Sequence, residues 1–130
     1  MKRLPLLLSA LFFTALIGCS DRTQGSDLVK GDSKSTGKKG ELLFFINPSG
    51  YPCRTQNDII RSILPKIKDR TRLVYVRTDV AADKSVFYQY GVRSLPYLIL
   101  LNSDGSISKR FSPGIHEKED IIEAVKGMKR

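Results

Sequence analysis

Few side chains in this sequence could carry covalent or acid–base chemistry. Its 130 residues include two cysteines, Cys19 and Cys53, and a single histidine, His116. This set is too small for a haem CxxCH motif, an iron–sulfur cluster or a four-ligand zinc site, and it excludes a disulfide-dense scaffold. We therefore expect neither a metal nor another cofactor, and Cys53 is the one candidate for a catalytic, thiol-based site.

Cys19 follows a segment with the features of an export signal. A basic Lys-Arg pair precedes residues 4–17, a run of fourteen that is almost entirely apolar. A membrane span needs about 20 such residues, so the run fits the core of a signal peptide better. It ends in LIGC (16–19), which resembles the lipobox of bacterial lipoproteins. The resemblance implies that residues 1–18 are removed and that Cys19 carries lipid such as palmitate; an ordinary signal peptide and an uncleaved anchor are the alternatives.

Residues 20–40 are rich in Ser, Gly, Lys and Asp, with Leu28 and Val29 as their only sizeable apolar side chains. Such a segment cannot bury enough surface to offset its ordering entropy, so we expect a flexible tether that reaches about 25 Å. Lys38 and Lys39 are expected to be solvated linker charges, with contact to anionic lipid as the alternative. The predicted organisation is a signal peptide (1–18), a lipidated cysteine with its linker (19–40) and a folded domain (41–130).

The charge of the chain is moderately positive. The formal net charge is +9, and residues 41–130 hold fifteen basic and ten acidic side chains. Because no basic stripe is interleaved with aromatic residues, we expect no nucleic-acid partner. The pairs Arg70/Arg72 and Lys109/Arg110 are interpreted as solvated edges.

Residues 41–130 alternate between strand and helix patterns. Strands are predicted from continuous or alternating apolar runs, and helices from apolar residues at three- and four-residue spacing. The strands fall at 41–46, 73–76, 95–101 and 106–111, and the helices at 53–69, 82–90 and after Gly114. Pro65 is expected to kink the first helix. The order β-α-β-α-β-β-α predicts an α/β fold with a four-stranded mixed sheet: parallel pairing early, with right-handed crossovers, and an antiparallel hairpin at residues 102–105.

Two segments of this domain resemble the thioredoxin family. The strand ending in Phe44-Phe45-Ile46 leads to Tyr51-Pro52-Cys53-Arg54 at the start of a helix, which is similar to the second half of the family's WC-x-x-C active site. About forty residues later, YGVRSLPY (90–97) resembles the segment that leads to the family's cis-proline. The resemblance covers residues 41–128 and implies a thioredoxin-like fold. It also implies a cis bond before Pro96 and a substrate groove lined by Gly50, Tyr51, Pro52, Leu95 and Pro96.

The chain departs from the family at the position of greatest chemical importance. Gly50 stands where the family has its first, attacking cysteine, and Ser49 stands in place of the tryptophan. The buried acid that helps to move protons to the second cysteine is replaced by Phe44. Cys53 matches the second, resolving cysteine, so an internal dithiol–disulfide cycle is impossible within the domain.

A single cysteine can still react in several ways without a second cysteine in the domain. In the first turn of a helix, unpaired amides and the helix dipole stabilise a thiolate, and we expect the thiol to be at least partly accessible. It could then form a mixed disulfide with a protein or peptide, or with a small thiol, or react with peroxide to a sulfenic acid. Our main hypothesis is thiol–disulfide handling in the bacterial envelope. The alternatives are a non-catalytic peptide-binding module with an inert Cys53, and a covalent dimer through Cys53.

The remaining polar candidates have simpler interpretations. His116 precedes Glu117, Glu119 and Asp120, and a capped helix start with acids that favour the dipole explains this group better than a His–carboxylate base. Several tyrosines are interpreted as core residues or groove walls: Tyr51, Tyr88, Tyr90 and Tyr97.

Overall fold

The computed structural model describes residues 38–129. The predicted signal peptide, Cys19 and most of the linker therefore lie outside the described residues. The elements are β1 (Gly40–Ile46), α1 (Tyr51–Ile67), β2 (Thr71–Arg77), a 3₁₀ turn (Ala81–Asp83), α2 (Lys84–Tyr90), β3 (Tyr97–Leu101), β4 (Ile107–Arg110) and α3 (Lys118–Lys126). Their order is the predicted β-α-β-α-β-β-α.

The strands form one mixed sheet in the order β2-β1-β3-β4. β1 pairs with β2 in parallel, with Gly40 opposite Thr71, and with β3 in antiparallel orientation, with Glu41 opposite Leu101. β3 and β4 form the predicted antiparallel hairpin. Parallel pairing is thus confined to the first two strands, and the α/β fold with a mixed four-stranded sheet is confirmed.

β1 lies in the middle of the sheet and supplies both faces of the core. Leu42 and Phe44 belong to a cluster that includes apolar residues of α1 and α3, whereas Leu43 and Phe45 belong to a second cluster that apolar residues of α2 pack against. Burial on both faces explains the continuous apolar run. Residues 40–128 contain all four of these strands and both clusters, and they lie within one compact unit. This part of the chain therefore has a core of its own and should fold without residues 1–19.

β2 lies at an edge of the sheet, although its apolar run from Leu73 to Val76 is of the kind expected of a buried strand. Arg72, Tyr75 and Arg77 are exposed, with 41% of Tyr75 accessible. The tyrosine hydroxyl donates a hydrogen bond to Asn57 Oδ1 at 2.8 Å. Val76 is thus buried, Leu73 and Val74 are half-buried, and Arg72 and Arg77 face solvent.

The element boundaries differ by a few residues from the predicted ones. α1 begins at Tyr51 and includes Pro65 in its last turn, where the helix remains continuous to Ile67. β3 begins only at Tyr97, because Leu95 and Pro96 belong to the preceding loop. The loop conformation was not visible in the apolar pattern, since Leu95 is apolar and half-buried.

Candidate functional site

The loop between β1 and α1 is held by its own hydrogen bonds. The Gly50 N–H donates to the Asn47 carbonyl at 3.0 Å, and the Ser49 N–H donates to Asn47 Oδ1 at 3.1 Å. Gly50 is the N-cap of α1 in an extended conformation, and its carbonyl accepts the Arg54 N–H at 3.1 Å. The β1–α1 loop therefore ends at Gly50, and the first turn of α1 begins at the next residue.

Cys53 is the third residue of α1 and points into the core. Only 2% of the residue is accessible, and it belongs to the cluster between α1, α3 and the sheet. Its Sγ accepts a hydrogen bond from the Asn47 N–H at 3.4 Å. The expectation of a partly accessible thiol is therefore wrong.

The burial of Cys53 follows from helical geometry. The buried residues of α1 are spaced by three or four positions, and Cys53 is the first of them; the others are Gln56, Ile60, Ile63 and Ile67. Residues at this spacing share one helix face, and this face of α1 packs on the sheet. The three- and four-residue spacing from Cys53 to Ile67 is therefore the sequence signal for the burial of the thiol.

The absent side chain of Gly50 leaves a position directly beside Cys53. A Cβ atom built on Gly50 would lie 3.6 Å from Cys53 Sγ and 3.4 Å from the Asn47 carbonyl oxygen. The backbone of Gly50, with φ −78° and ψ 130°, is one that any residue adopts. Glycine is therefore not required by the conformation, and its effect is to leave the approach to the sulfur without a side chain.

The loop before β3 meets the same end of the sheet. The Leu95–Pro96 peptide bond is cis. Tyr97 pairs with Phe45 in antiparallel orientation. Pro96, just before β3, therefore lies at the same end of the sheet as Asn47, just after β1. The Pro96 carbonyl accepts the Gly114 N–H at 3.0 Å, which ties this loop to the segment before α3.

The five predicted groove residues differ widely in exposure. Tyr51, 72% accessible, and Pro52 are exposed, Gly50 and Leu95 are half-buried, and Pro96 is buried. Topology brings both groups to one end of the sheet, with Leu95 packed against the cluster that contains Cys53. The arrangement offers an exposed tyrosine on one side and a buried proline loop on the other.

The basic neighbour of Cys53 interacts with the loop. Arg54 Nη1 donates to the Ser49 carbonyl at 2.7 Å, so the guanidinium group closes the β1–α1 turn. Phe44, at the position of the family's buried acid, is fully buried, and its ring centroid lies 5.8 Å from that of Tyr75. That position supplies no proton-transferring group.

Gln56 is a residue of this site that the sequence analysis missed. It is fully buried, its Nε2 donates to the His116 carbonyl at 3.3 Å, and its Oε1 accepts the His116 N–H at 2.6 Å. The amide thereby satisfies both backbone groups of a residue sixty positions away. A polar residue on the buried face of a helix was the signal that could have revealed it.

The His116 side chain is held by contacts with Ser112 and Phe111. Its Nε2 donates to the Ser112 carbonyl at 2.7 Å, and its ring centroid lies 5.0 Å from that of Phe111. The N-cap of α3 is Glu117, without a side-chain capping bond, so the predicted cap is wrong. Glu119 and Asp120 do lie in the first turn, where acids favour the dipole.

The tyrosines divide into two groups. Tyr90 and Tyr97 pack edge-on against Phe45, with ring centroids 5.9 and 6.3 Å from it. Tyr88, by contrast, is 85% accessible, so it is not a core residue. α2 is only seven residues long and presents Tyr88 to solvent.

Within residues 38–129, no group of three or more His, Cys, Asp or Glu side chains could hold a metal ion. No helix in that part of the chain is long and apolar enough to cross a membrane.

Comparison with solved structures identifies the class of fold. No family model and no curated protein matches this chain. Among solved structures, thioredoxin-2 of the malaria parasite protein secretion machinery aligns with a TM-score of 0.62 and 22% identity, over 71% of this chain and 85% of that one. The exposed lipoprotein thioredoxin Etrx1 of Streptococcus pneumoniae aligns with a TM-score of 0.62 and 20% identity, over 70% and 86%.

StoA of Bacillus subtilis aligns with a TM-score of 0.56 and 19% identity, over 68% of this chain and 84% of that one. Together with the mixed sheet and its flanking helices, these likenesses define a thioredoxin-like fold. This chain has that fold with the sequence Gly50-Tyr51-Pro52-Cys53 at the start of α1.

Proposed function

We propose that this protein is exported, anchored by lipid in the bacterial envelope, and exchanges disulfides through Cys53 with protein or peptide thiols or with a small thiol. The observation that carries the proposal is the position of Cys53 Sγ, 3.6 Å from the empty side-chain position of Gly50. An incoming sulfur atom can occupy the space that a first cysteine would fill. The neighbouring Pro96 loop supports binding of an extended peptide beside it.

The exchange requires an external thiol. The Cys53 thiolate attacks a disulfide R–S–S–R′, which forms Cys53–S–S–R and releases R′S⁻. A second thiol, R″SH, then attacks the mixed disulfide, yields R–S–S–R″ and regenerates the Cys53 thiolate. Its proton passes to R′S⁻, so the protein returns unchanged and one disulfide is replaced by another.

The proposed groove residues have distinct roles in this reaction. Gly50 places no side chain beside the sulfur, and the exposed Tyr51 and Pro52 provide the outer rim of the groove. Leu95 and Pro96 form its inner wall, on the loop tied to Gly114. The groove acts before and after the sulfur exchange, by holding the substrate chain in register.

The anchor rests on the sequence. The apolar run, the LIGC segment and the polar stretch after it support lipid attachment at Cys19, removal of residues 1–18 and a tether over 20–40. The solved structure of Etrx1, an exposed lipoprotein thioredoxin, shows that this fold occurs in a lipoprotein. The domain would then face the periplasm or the cell exterior.

The anchor is tested by labelling cells with palmitate. The parent chain should incorporate label and shift to lower mass after processing, and Cys19→Ser should do neither. Globomycin should cause accumulation of the unprocessed form. Soluble export of the parent chain without label would contradict the anchor.

The exchange reaction is tested by trapping. Rapid acid quenching of native envelopes, followed by mass spectrometry, should find Cys53 in a mixed disulfide with a protein, a peptide or a small thiol. Cys53→Ser is the matched control, since it differs by one atom and cannot form the bond. The absence of any adduct on Cys53 across oxidising and reducing growth conditions would contradict the proposal.

A non-catalytic binding module is the second candidate, and the burial of Cys53 favours it. The thiol is 2% accessible and accepts a hydrogen bond from the Asn47 N–H. A buried cysteine of this kind packs like a small hydrophobic residue and needs no reaction partner. Iodoacetamide labelling of the native protein across pH separates the two functions. Labelling at a rate near that of the unfolded chain supports exchange; no labelling in the native state supports the binding module. The same burial opposes a covalent dimer, which predicts a doubled mass on non-reducing gels that Cys53→Ser removes.

A further inference from the structure

One end of the sheet collects basic side chains from four separate parts of the sequence. We call it the basic end. Its residues come from the end of the linker, the end of α1, the start of β2 and the end of α3: Lys38, Lys39, Lys66, Lys68, Arg70, Arg72, Lys126 and Lys129. All are exposed except Arg70, which is half-buried.

Hydrogen bonds show that these segments meet. Lys39 Nζ donates to the Lys68 carbonyl at 2.8 Å, and the Gly40 N–H donates to the Arg70 carbonyl at 2.9 Å. Arg70 Nη2 in turn donates to the Met128 carbonyl at 3.0 Å.

The end of α3 is tied to the β3–β4 hairpin at the same place. The Lys129 N–H donates to Asn102 Oδ1 at 3.0 Å, and Asn102 follows β3 directly. The linker, both helix ends and the hairpin therefore lie together at the end of the sheet where β1 begins.

The acidic residues of this end do not balance the basic ones. Among residues 38–129, four acids lie there: Glu41, Asp69, Asp104 and Glu123. Glu41 is already paired with Arg72, and the Asp104 carboxylate accepts the Ser106 N–H at 2.8 Å. Eight basic against four acidic residues leave an excess of four positive charges.

Helix dipoles do not account for this excess. α1 and α3 both end here, and each C-terminus is equivalent to about half a negative charge. Their combined effect corresponds to about one charge, which is less than the excess. Lys66 and Lys126 lie in the last turns of the two helices, but Lys38, Lys39 and Arg72 do not.

The position of the basic end relative to the linker indicates its partner. β1 starts at this end, so the linker enters the domain here, and Cys53 lies beyond the opposite end of β1. The proposed tether, with an expected reach of about 25 Å, would keep the domain within reach of the bilayer but would not by itself orient it. Anionic headgroups attract clustered Lys and Arg once the cluster comes within a Debye length, about 8–10 Å, of the membrane surface.

We infer that the basic end docks on anionic phospholipid headgroups of the membrane that carries the anchor, which turns the Cys53 end away from the bilayer. This inference rests on the proposed lipid anchor for the identity of the membrane. Docking leaves the Gly50–Tyr51 rim open to partners.

The test uses the chain from Ser20 onward, which lacks the lipidated cysteine and retains the complete core. Its binding to vesicles of phosphatidylglycerol and phosphatidylcholine in equal parts is measured by co-sedimentation at low salt. We expect binding at least about tenfold tighter than to pure phosphatidylcholine, and loss of this preference at high salt. Equal binding to both vesicles would overturn the inference.

A matched pair of variants locates the surface. Lys66→Glu, Lys68→Glu and Lys126→Glu together change the basic end, and Lys84→Glu, Arg93→Glu and Lys118→Glu make the same change in net charge at the other end. The first set should weaken vesicle binding at least about tenfold and the second at most about twofold. Equal loss in both would show that net charge alone acts. Circular dichroism of both variants checks folding, and single substitutions at the same sites replace a variant that fails to fold.

A fluorescence measurement tests the orientation. The sequence contains no tryptophan. Ser103→Trp lies in the hairpin at the basic end, and Tyr51→Trp lies at the Cys53 end. Vesicles should shift the emission of the first to the blue and leave the second unchanged; the opposite pattern would contradict the orientation.

Failure of this inference is distinguishable from failure of the anchor. The vesicle experiments use a chain without Cys19 and report only on the basic end. Palmitate labelling of the full chain reports only on Cys19. Labelling without vesicle binding would overturn the docking alone, and vesicle binding without labelling would overturn the anchor and the identity of the membrane.

Discussion

The two ends of the sheet differ in what they present to solvent. At the Cys53 end, charges of opposite sign balance: Arg54, Arg77, Lys84, Arg93 and Lys118 against Asp79, Asp83, Glu117, Glu119 and Asp120. Several are engaged locally, such as Arg77, which forms two hydrogen bonds with the Asp79 carboxylate at 2.9 and 2.7 Å. At the basic end, positive charges are in excess. Specific recognition at the first end would depend on shape and sulfur chemistry, and attraction at the second on charge.

The largest expected effect comes from restoring a first cysteine. In Gly50→Cys the new Cβ lies 3.6 Å from Cys53 Sγ. At this distance, rotation of the new side chain can bring its sulfur close to the S–S bond length of about 2.05 Å. The variant should form an intramolecular disulfide and reduce insulin with dithiothreitol at least about tenfold faster than the parent chain, whose activity should be weak or nil.

Gly50→Ser is the control, because it adds a similar volume without a second sulfur. Mass spectrometry after alkylation counts the free thiols in each variant. Robust insulin reduction by the parent chain, or no disulfide in Gly50→Cys, would show that the Cys53 end lacks more than its attacking group.

The next largest effect concerns the stability of the Cys53 end. Gln56→Ala leaves the half-buried His116 N–H and carbonyl without their partner and opens a cavity under α1. We expect a loss of about 2–4 kcal/mol in the free energy of unfolding. Urea denaturation measures it, with Thr55→Ala, one residue along the helix, as the comparison. A change below about 1 kcal/mol would mean that the amide contacts add little to stability.

Cys53→Ser should have a smaller effect. It places a hydroxyl in an apolar cluster where the Asn47 N–H is the nearest partner. We expect about 1–2 kcal/mol of destabilisation, and less for Cys53→Ala, which buries no polar group. Equal stability of all three proteins in urea would contradict the close packing of the sulfur.

The smallest effect is at the basic end. Hydrogen bonds from the Ser106 hydroxyl and N–H, with a further contribution from Lys129, lower the pKa of Asp104. Because the folded pKa lies below the unfolded value near 3.9, the stabilisation is present above that pH. It is lost as pH falls through the lowered folded pKa.

Urea unfolding of the parent chain and Asp104→Asn should therefore differ by a constant amount at neutral pH and converge in acid. Ser103→Ala, in the same turn, is the control and should show no pH-dependent difference from the parent. A difference between parent and Asp104→Asn that persists at the most acid pH would exclude the carboxylate as its source.

The order of elements was predictable because it depends on local patterns. The run from Leu42 to Ile46 indicated a strand covered on both faces, and the turn residues Asn102 to Gly105 indicated the hairpin. Gly105, with φ +85°, occupies the left-handed region that favours glycine. The edge position of β2 was not predictable, since its apolar residues look the same whether a neighbour lies on one side or on both.

The sequence by itself determined that the domain has one cysteine, that glycine stands three residues before it, and that strands and helices alternate around it. Only the tertiary structure decided that Cys53 is buried, that Gln56 joins α1 to His116, and that Lys39, Lys68 and Lys129 share one end with Arg70 and Arg72. The physical reason is range: periodicity and turn preferences act between near neighbours in the chain, whereas burial and the summed field of charges depend on segments that only the folded sheet brings together.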